Sequence, residues 1–297
     1  MNTRKIKHIF FWIIAITITV SSAIYQKKTG PTYPKTVEVN FSGENYKFNL
    51  IRSSEIGTPC DINIDLKGNT EITGSVFYKK YKVNEPWTEL KLKEKTINKK
   101  AFFGKGDEQK VLSETLPSQQ EAGKLEYFLE LNKNGAIQFV EKENPVVIRF
   151  KGAVPTYVLL PHIIFMFLTM LFASITFIYV LAKNTKNTKK YAYFTFFSLI
   201  IGGMILGPIV QKYAFSEFWT GIPFGWDLTD NKTLIAFVAW TIAIILNLKK
   251  QRPLAYIIST LILYAVFTIP HSAFGSELNY ETGKITQGIV IQNFMIF

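Results

Sequence analysis

Three histidines stand in this chain of 297 residues, and two of them follow a proline at the edge of an apolar run: His162 in "LLPHIIF" and His271 in "TIPHSAF". Imidazole is the usual axial ligand of b-type haem in membranes, and helix bundles build such sites from side chains on facing helices. The same pair with Glu277 or Asp227 would supply donors for a metal ion, or would flank a quinone. Ionisable groups in membrane helices are functional candidates by default. A plainer reading stands beside this one. A histidine at a helix end lies near water, and it can bond free carbonyls or favour the helix dipole. The third histidine, His8, sits at the edge of the first apolar run and carries no assignment.

The acidic candidates have a similar double reading. Asp227, with Asp230 three residues on, matches an N-cap pattern for the helix that follows. Both lie in the loop "SEFWTGIPFGWDLTDNK", where Trp219 and Trp226 suit a membrane-interface belt. The alternative is a lid over a pocket between helices, with these carboxylates as cation or proton ligands. Glu277 and Tyr280 fall in "GSELNYETG", which reads as a hairpin around a glycine turn with Glu277 paired to a lysine. Gly203 and Gly207 in "GMILG" have the small-xxx-small spacing of close helix packing, and Pro208 adds a kink. The sequence holds no GxSxG, HExxH or P-loop, and no GxGxxG before a helix, which weighs against an enzyme.

The elements that must position these residues follow from the distribution of apolar residues, which make up 48% of the chain. They concentrate in long runs, and a polar stretch separates the first run from the rest. The expected fold class is a membrane α-helical bundle of four helices plus an N-terminal anchor or signal helix, with an inserted extracytoplasmic all-β sandwich. Residues 1–25 read equally as a transmembrane anchor or a signal peptide, and 26–35 as a linker. Residues 36–152 read as the β-domain, on period-two runs such as "TVEVNF", "YKFNLI", "TELKLKEK" and "KLEYFLEL". Residues 153–270 read as the four-helix domain, and 271–297 as a tail with a hairpin. The single Cys60 has no disulfide or CxxC partner and reads as a half-buried strand residue.

Two resemblances add to this. "SVFYKKYKVNEPWTELKLK" and "LPSQQEAGKLEYFLEL" resemble immunoglobulin- or fibronectin-type modules, through Tyr78, Lys79, Trp87, Pro117, Ala122, Gly123, Tyr127 and Phe128. This implies a sandwich fold and says almost nothing of function. Gly275, Glu277, Leu278, Tyr280 and Gly283 resemble the Gly-x-Glu-Leu-x-Tyr-x-x-Gly pattern after the last helix of a family of uncharacterised small bacterial four-helix membrane proteins. That family has its histidine close before the first glycine. Here His271 lies four residues ahead.

The formal charge of +12 is concentrated beside apolar runs rather than in a nucleic-acid motif, so no nucleic-acid partner is expected. "KNTKNTKK" and "KKQR" are basic and lack acids. The positive-inside rule then sets the N-terminus and both loops inside, and the β-domain, the Trp-rich loop and the tail outside. The usage, rich in Lys, Asn, Ile and Phe, suits a bacterium. The expectation is a multi-pass protein of the cytoplasmic membrane without cofactor. It would be an accessory or partner-binding component that meets the lipid bilayer and other membrane or periplasmic proteins. The alternatives are a redox or metal module using His162 and His271, with haem b or a metal ion as cofactor, and a small-molecule transport component.

Overall fold

The structure, a computed structural model, describes residues 3–41, 43–65, 71–98, 108–270 and 276–286. Its contacts divide the chain into two units: one holds residues 1–31, 153–276 and 287–297, the other residues 32–152 and 277–286.

The first unit is helical. It contains α1 (Thr3–Thr29), α2 (Thr156–Leu181), α3 (Thr185–Leu199), a π-helical segment (Ile200–Leu206), α4 (Gly207–Phe215), α5 (Leu228–Leu246) and α6 (Pro253–Thr268). The π segment joins α3 and α4 without a break, so 185–215 is one rod. Four helices are long and apolar enough to cross a membrane: 5–29, 156–181, 185–215 and 228–246. The run expected to give the last span instead forms a helix of 16 residues, α6. At 1.5 Å per residue that is about 24 Å, short of a hydrocarbon core of about 30 Å. Pro253 opens α6, and Ile269, just ahead of Pro270, is already extended, as the residue before a proline tends to be.

Small residues set the helix contacts. Ala173, Ala192, Ala236 and Ala243 are all fully buried and surround Trp240, with Leu199, Tyr256 and Leu263 completing the core. Helix α1 packs on α2 through Ala15, Ile175 and Tyr179, and His8 Nδ1 lies 2.8 Å from the Tyr179 hydroxyl.

The second unit is β. Its strands are β1 (Lys35–Phe41), β2 (Glu44–Leu50), β3 (Ser53–Glu55), β4 (Cys60–Ile64), β5 (Ile72–Lys80), β6 (Thr88–Lys91), β7 (Lys93–Asn98), β8 (Glu108–Leu116), β9 (Lys124–Lys133), β10 (Ala136–Val140), β11 (Val146–Lys151), β12 (Glu277–Leu278) and β13 (Ile285–Thr286). They form a hairpin β1-β2, a sheet β4-β8-β7, a sheet β3-β11-β9-β5-β6 with β10 also on β9, and a hairpin β12-β13. Alternate residues of the first three sheets meet in one core, including Phe41, Phe48, Ile62, Ile64, Tyr127, Leu129, Ile148 and Phe150.

Three local readings needed correction. Cys60 is 1% exposed, fully rather than half buried. The run "TELKLKEK" is two strands: β6 pairs with β5 and β7 with β8, and the chain changes sheet at Leu92. The amide of Leu92 keeps a bond to the Gly74 carbonyl at 2.9 Å. β8 was not expected, because Val111, Leu112 and Ser113 are buried in succession and Glu114 stands between Leu112 and Leu116 on the face toward the core, so the run does not alternate apolar with polar.

Candidate functional site

His162 sits in the second turn of α2, directly after Pro161. Its Nδ1 lies 2.9 Å from the carbonyl oxygen of Gly202. That carbonyl also accepts the Gly207 amide, five residues on, which is the step that defines the π segment. Pro208 has no N–H to continue an α-helical ladder, so the register has to change near it. The close approach is made possible by glycine. A Cβ on Gly202 would lie 2.8 Å from Phe165 Cβ, and one on Gly203 2.9 Å from Thr233 Cγ2. A Cβ on Gly207 would meet nothing nearer than 3.6 Å. The tight contacts therefore fall on Gly202 and Gly203 rather than on the Gly203/Gly207 pair. His271, the expected partner of His162, lies outside the described residues.

The loop from α4 to α5 is held from within. Asp227 caps α5, its Oδ1 accepting from the amides of Thr229 at 2.8 Å and Asp230 at 3.3 Å. Asp230 turns back on the loop and accepts from the amides of Thr220 at 2.6 Å and Gly221 at 3.1 Å. Any side chain at Gly221 would collide with Asp230, whose Cβ would be 2.7 Å away. Trp219 donates to the Ile222 carbonyl at 3.1 Å, while Trp226 is 72% exposed. Both acids are thus occupied by backbone amides.

Lys232 escaped the sequence reading, which counted it with the loop. It is 1% exposed and lies inside α5. Its ammonium donates to the carbonyl of Ile269 at 2.7 Å, just beyond the end of α6. Gln26 of α1 donates to the neighbouring Phe267 carbonyl at 2.7 Å. The last carbonyls of a helix have no partner in their own helix, and here two other helices supply one. The signal that could have revealed Lys232 was Asp227. An N-cap there puts Lys232 more than a turn into an apolar helix, where a charge needs a named partner.

Glu277 and Tyr280 belong to the β unit. Glu277 bridges Lys124 at 2.6 Å and Lys82 at 3.0 Å. The Tyr280 hydroxyl accepts the Lys124 amide at 2.9 Å and donates to the Lys124 carbonyl at 2.7 Å. Leu278 is buried, and its amide bonds the Ala122 carbonyl at 3.0 Å. Gly283 takes a φ of +67° at the turn. Burial works to raise the Glu277 pKa, but the hydrogen bonds and charges of Lys124 and Lys82 outweigh it and hold the carboxyl below its ordinary 4.5. Burial pushes the Tyr280 phenol up to about 12 and draws the Lys124 ammonium down. Three residues of the Gly-x-Glu-Leu-x-Tyr-x-x-Gly run, Glu277, Leu278 and Tyr280, therefore fasten a hairpin to β9 and the residues just before it, Gly283 makes its turn, and Gly275 lies outside the described residues.

The same unit carries an aromatic face that pairwise spacing did not single out. Phe77 stacks on Phe128 at 4.9 Å, and Trp87 meets Phe128 edge-on at 4.9 Å. Phe139, at 6.4 Å from Phe128, is 48% exposed, and Ile137 is 53% exposed. Lys79 lies 5.0 Å from the Trp87 ring and Lys142 3.8 Å from the Phe139 ring. These residues point away from the core, because Phe77 alternates with the buried Val76 along β5.

Among the described residues, no three His, Cys, Asp or Glu side chains gather to hold a metal ion. No family model matches the chain, no curated protein matches it, and no solved structure matches it.

Two outcomes are expected. Gly202→Ala should lower the thermal stability of the purified protein by about 1–3 kcal/mol through overpacking, whereas Gly207→Ala should cost less than about 1 kcal/mol. Equal costs would remove the close approach at Gly202. The hairpin should respond to acid. A carboxyl whose folded pKa is depressed stabilises fully above its ordinary value and loses that stabilisation as pH falls through the folded value. Protease cleavage at the hairpin turn should therefore accelerate below about pH 4.5, and Glu277→Gln should flatten that acid limb. Its persistence in the variant would show that another group carries it.

Proposed function

We propose that the chain is a multi-pass protein of a bacterial cytoplasmic membrane that presents an immunoglobulin- or fibronectin-type β-domain outward, and that it works as an accessory component by binding a partner protein there. The observation that carries this reading is the aromatic face around Phe128, with Ile137 and Phe139 exposed and Lys79 and Lys142 set over aromatic rings. Clustered aromatic side chains are a common energetic centre of protein interfaces. Membrane insertion is supported by four helices of sufficient length and apolarity. The sidedness is supported by charge, since Lys183, Lys189 and Gln251, from the two basic loops, line one cavity. The sandwich reading draws on the shared core of three sheets and on buried Tyr127, whose hydroxyl bonds the Ile51 carbonyl at 3.0 Å. The hairpin run keeps its resemblance to the uncharacterised four-helix family, with its residues acting in docking rather than in turnover.

The test is site-specific. A photo-crosslinking residue at Phe139 should yield a discrete adduct in native membranes, and changing Trp87 to Ser together with Ile137→Asp should abolish it. An adduct pattern unaffected by those changes, or equal to one obtained from the polar position Lys93, would remove the partner face.

A second reading, a haem or metal site on His162 and His271, draws on the Gly202 carbonyl. Ligating imidazoles are commonly oriented by a backbone carbonyl on the other ring nitrogen. Purified protein would then show a Soret band or a stoichiometric metal that disappears in His162→Ala. With neither, this reading ends.

A further inference from the structure

The helical unit has a cavity of about 200 Å³ at the end of the bundle where α2 passes into α3 and α5 into α6. Lys183, Thr188, Lys189, Asn247, Gln251 and Tyr256 are among the residues that line it. Part of this wall is a fixed frame. Asn247 donates to the carbonyls of Ala243 and Arg252 and accepts the Arg252 amide, and Thr188 bonds the Asn184 carbonyl. Lys183 and Lys189 are different. Their ammonium groups enter no ion pair among the described residues, and no acid stands within 183–190 or 249–252, which together hold seven Lys and Arg.

Tyr256 supplies an independent observation. It is only 3% exposed and lines the cavity, and its hydroxyl, unlike the Trp240 indole N–H, is not among the fully enclosed unbonded atoms, so it reaches the cavity space. Trp240 stacks on it at 6.2 Å with its own buried indole N–H unbonded. A phenol whose ring is buried and whose hydroxyl opens onto a cavity is a donor for what occupies it.

We propose that this cavity binds the phosphodiester headgroup of an anionic phospholipid, with Lys183 and Lys189 on the phosphate oxygens and the Tyr256 hydroxyl as a neutral donor. The proposal rests on the reading that these helices cross a membrane. Size and the exposed leucines beside the basic loops select a lipid. The volume lies below the roughly 300–1,000 Å³ of sites for drug-sized ligands, so it holds a headgroup and leaves the chains outside. Leu181, Leu248 and Leu254, at the ends of the helices that flank the basic loops, are 63%, 56% and 63% exposed. Exposed apolar side chains next in sequence to the lining residues Val180, Asn247 and Pro253 suit acyl chains and offer nothing to a free anion. Basic pockets between membrane helices on the cytoplasmic side recognise anionic headgroups in this way.

The experiment uses the full chain in neutral detergent, titrated with phosphatidylglycerol, phosphatidylcholine or inorganic phosphate, and read by thermal midpoint and native mass spectrometry. Phosphatidylglycerol should raise the midpoint and remain bound, while phosphatidylcholine and millimolar phosphate should do neither. Lys183→Gln with Lys189→Gln should weaken phosphatidylglycerol by about 30-fold, taking roughly one Lys contribution each. Tyr256→Phe should weaken it less, and a paired control at Lys93 and Lys110 not at all. Circular dichroism identifies any variant that fails to fold, and the single lysine variants then carry the comparison. Equal response to phosphatidylcholine, an undiminished response in the lysine variants, or competition by phosphate would each overturn the lipid site, the last in favour of a free-anion site. Impermeant thiol labelling of intact cells separates this from the membrane reading. Lys110→Cys should label and Lys186→Cys should not. The opposite pattern with intact lipid binding refutes the sidedness alone, and the expected pattern without lipid binding refutes the site alone.

Discussion

A backbone carbonyl in an apolar helix bundle must find a donor, and several polar side chains that reach across from one helix to another are spent on that requirement. Where a helix runs regularly the next turn supplies the donor. Where it stops or changes pitch, another helix has to. Lys232 and Gln26 serve the end of α6, and His162 serves the π segment at Gly202. Ser259 bonds the Ala239 carbonyl at 2.7 Å, and Tyr264 the Met170 carbonyl at 3.3 Å. His162 and Lys232, two ionisable residues of this unit, are pins between helices. The short α6 depends most on them, because it stops before its run of apolar residues would cross a bilayer.

The β unit solves the corresponding problem with a hairpin from the far end of the chain. Glu277, Leu278 and Tyr280 use charge, apolar contact and a two-way hydroxyl on a single stretch of β9 and the loop before it. No one of these bonds is strong in water, but together they leave the start of β9 little freedom. Among the described residues, the aromatic face around Phe128 makes no such contact with the hairpin run, and Ile137 and Phe139 stay exposed on it.

What could be read in advance follows from how local each cause is. Period-two strands such as β1, β2 and β9 were legible because one buried face imposes alternation within a few residues. β8 was not, since Glu114 interrupts its core-facing pair Leu112 and Leu116 and the neighbouring Ser113 is buried as well. The change of sheet at Leu92 was not legible either, because nothing in "TELKLKEK" distinguishes one strand from two. That Glu277 would meet a lysine was readable from its type, but the particular lysine, Lys124, lies 153 residues earlier and depends on the fold. Asp227 as a cap was legible from spacing. Asp230 as the anchor of a loop was not, since its ligands Thr220 and Gly221 are brought to it by a turn. The π segment required both Pro208, visible in the sequence, and the approach of α2 to Gly202, which is not.

Because residues 277–286 belong with 32–152, the β unit receives the chain twice, once early and once after the last helix. The intervening helices form a loop closed at both ends on one body. In synthesis the early part emerges first and waits for its final hairpin until α6 has been made. A chain interrupted within the helices would therefore present the start of β9 without the contacts of Glu277 and Tyr280.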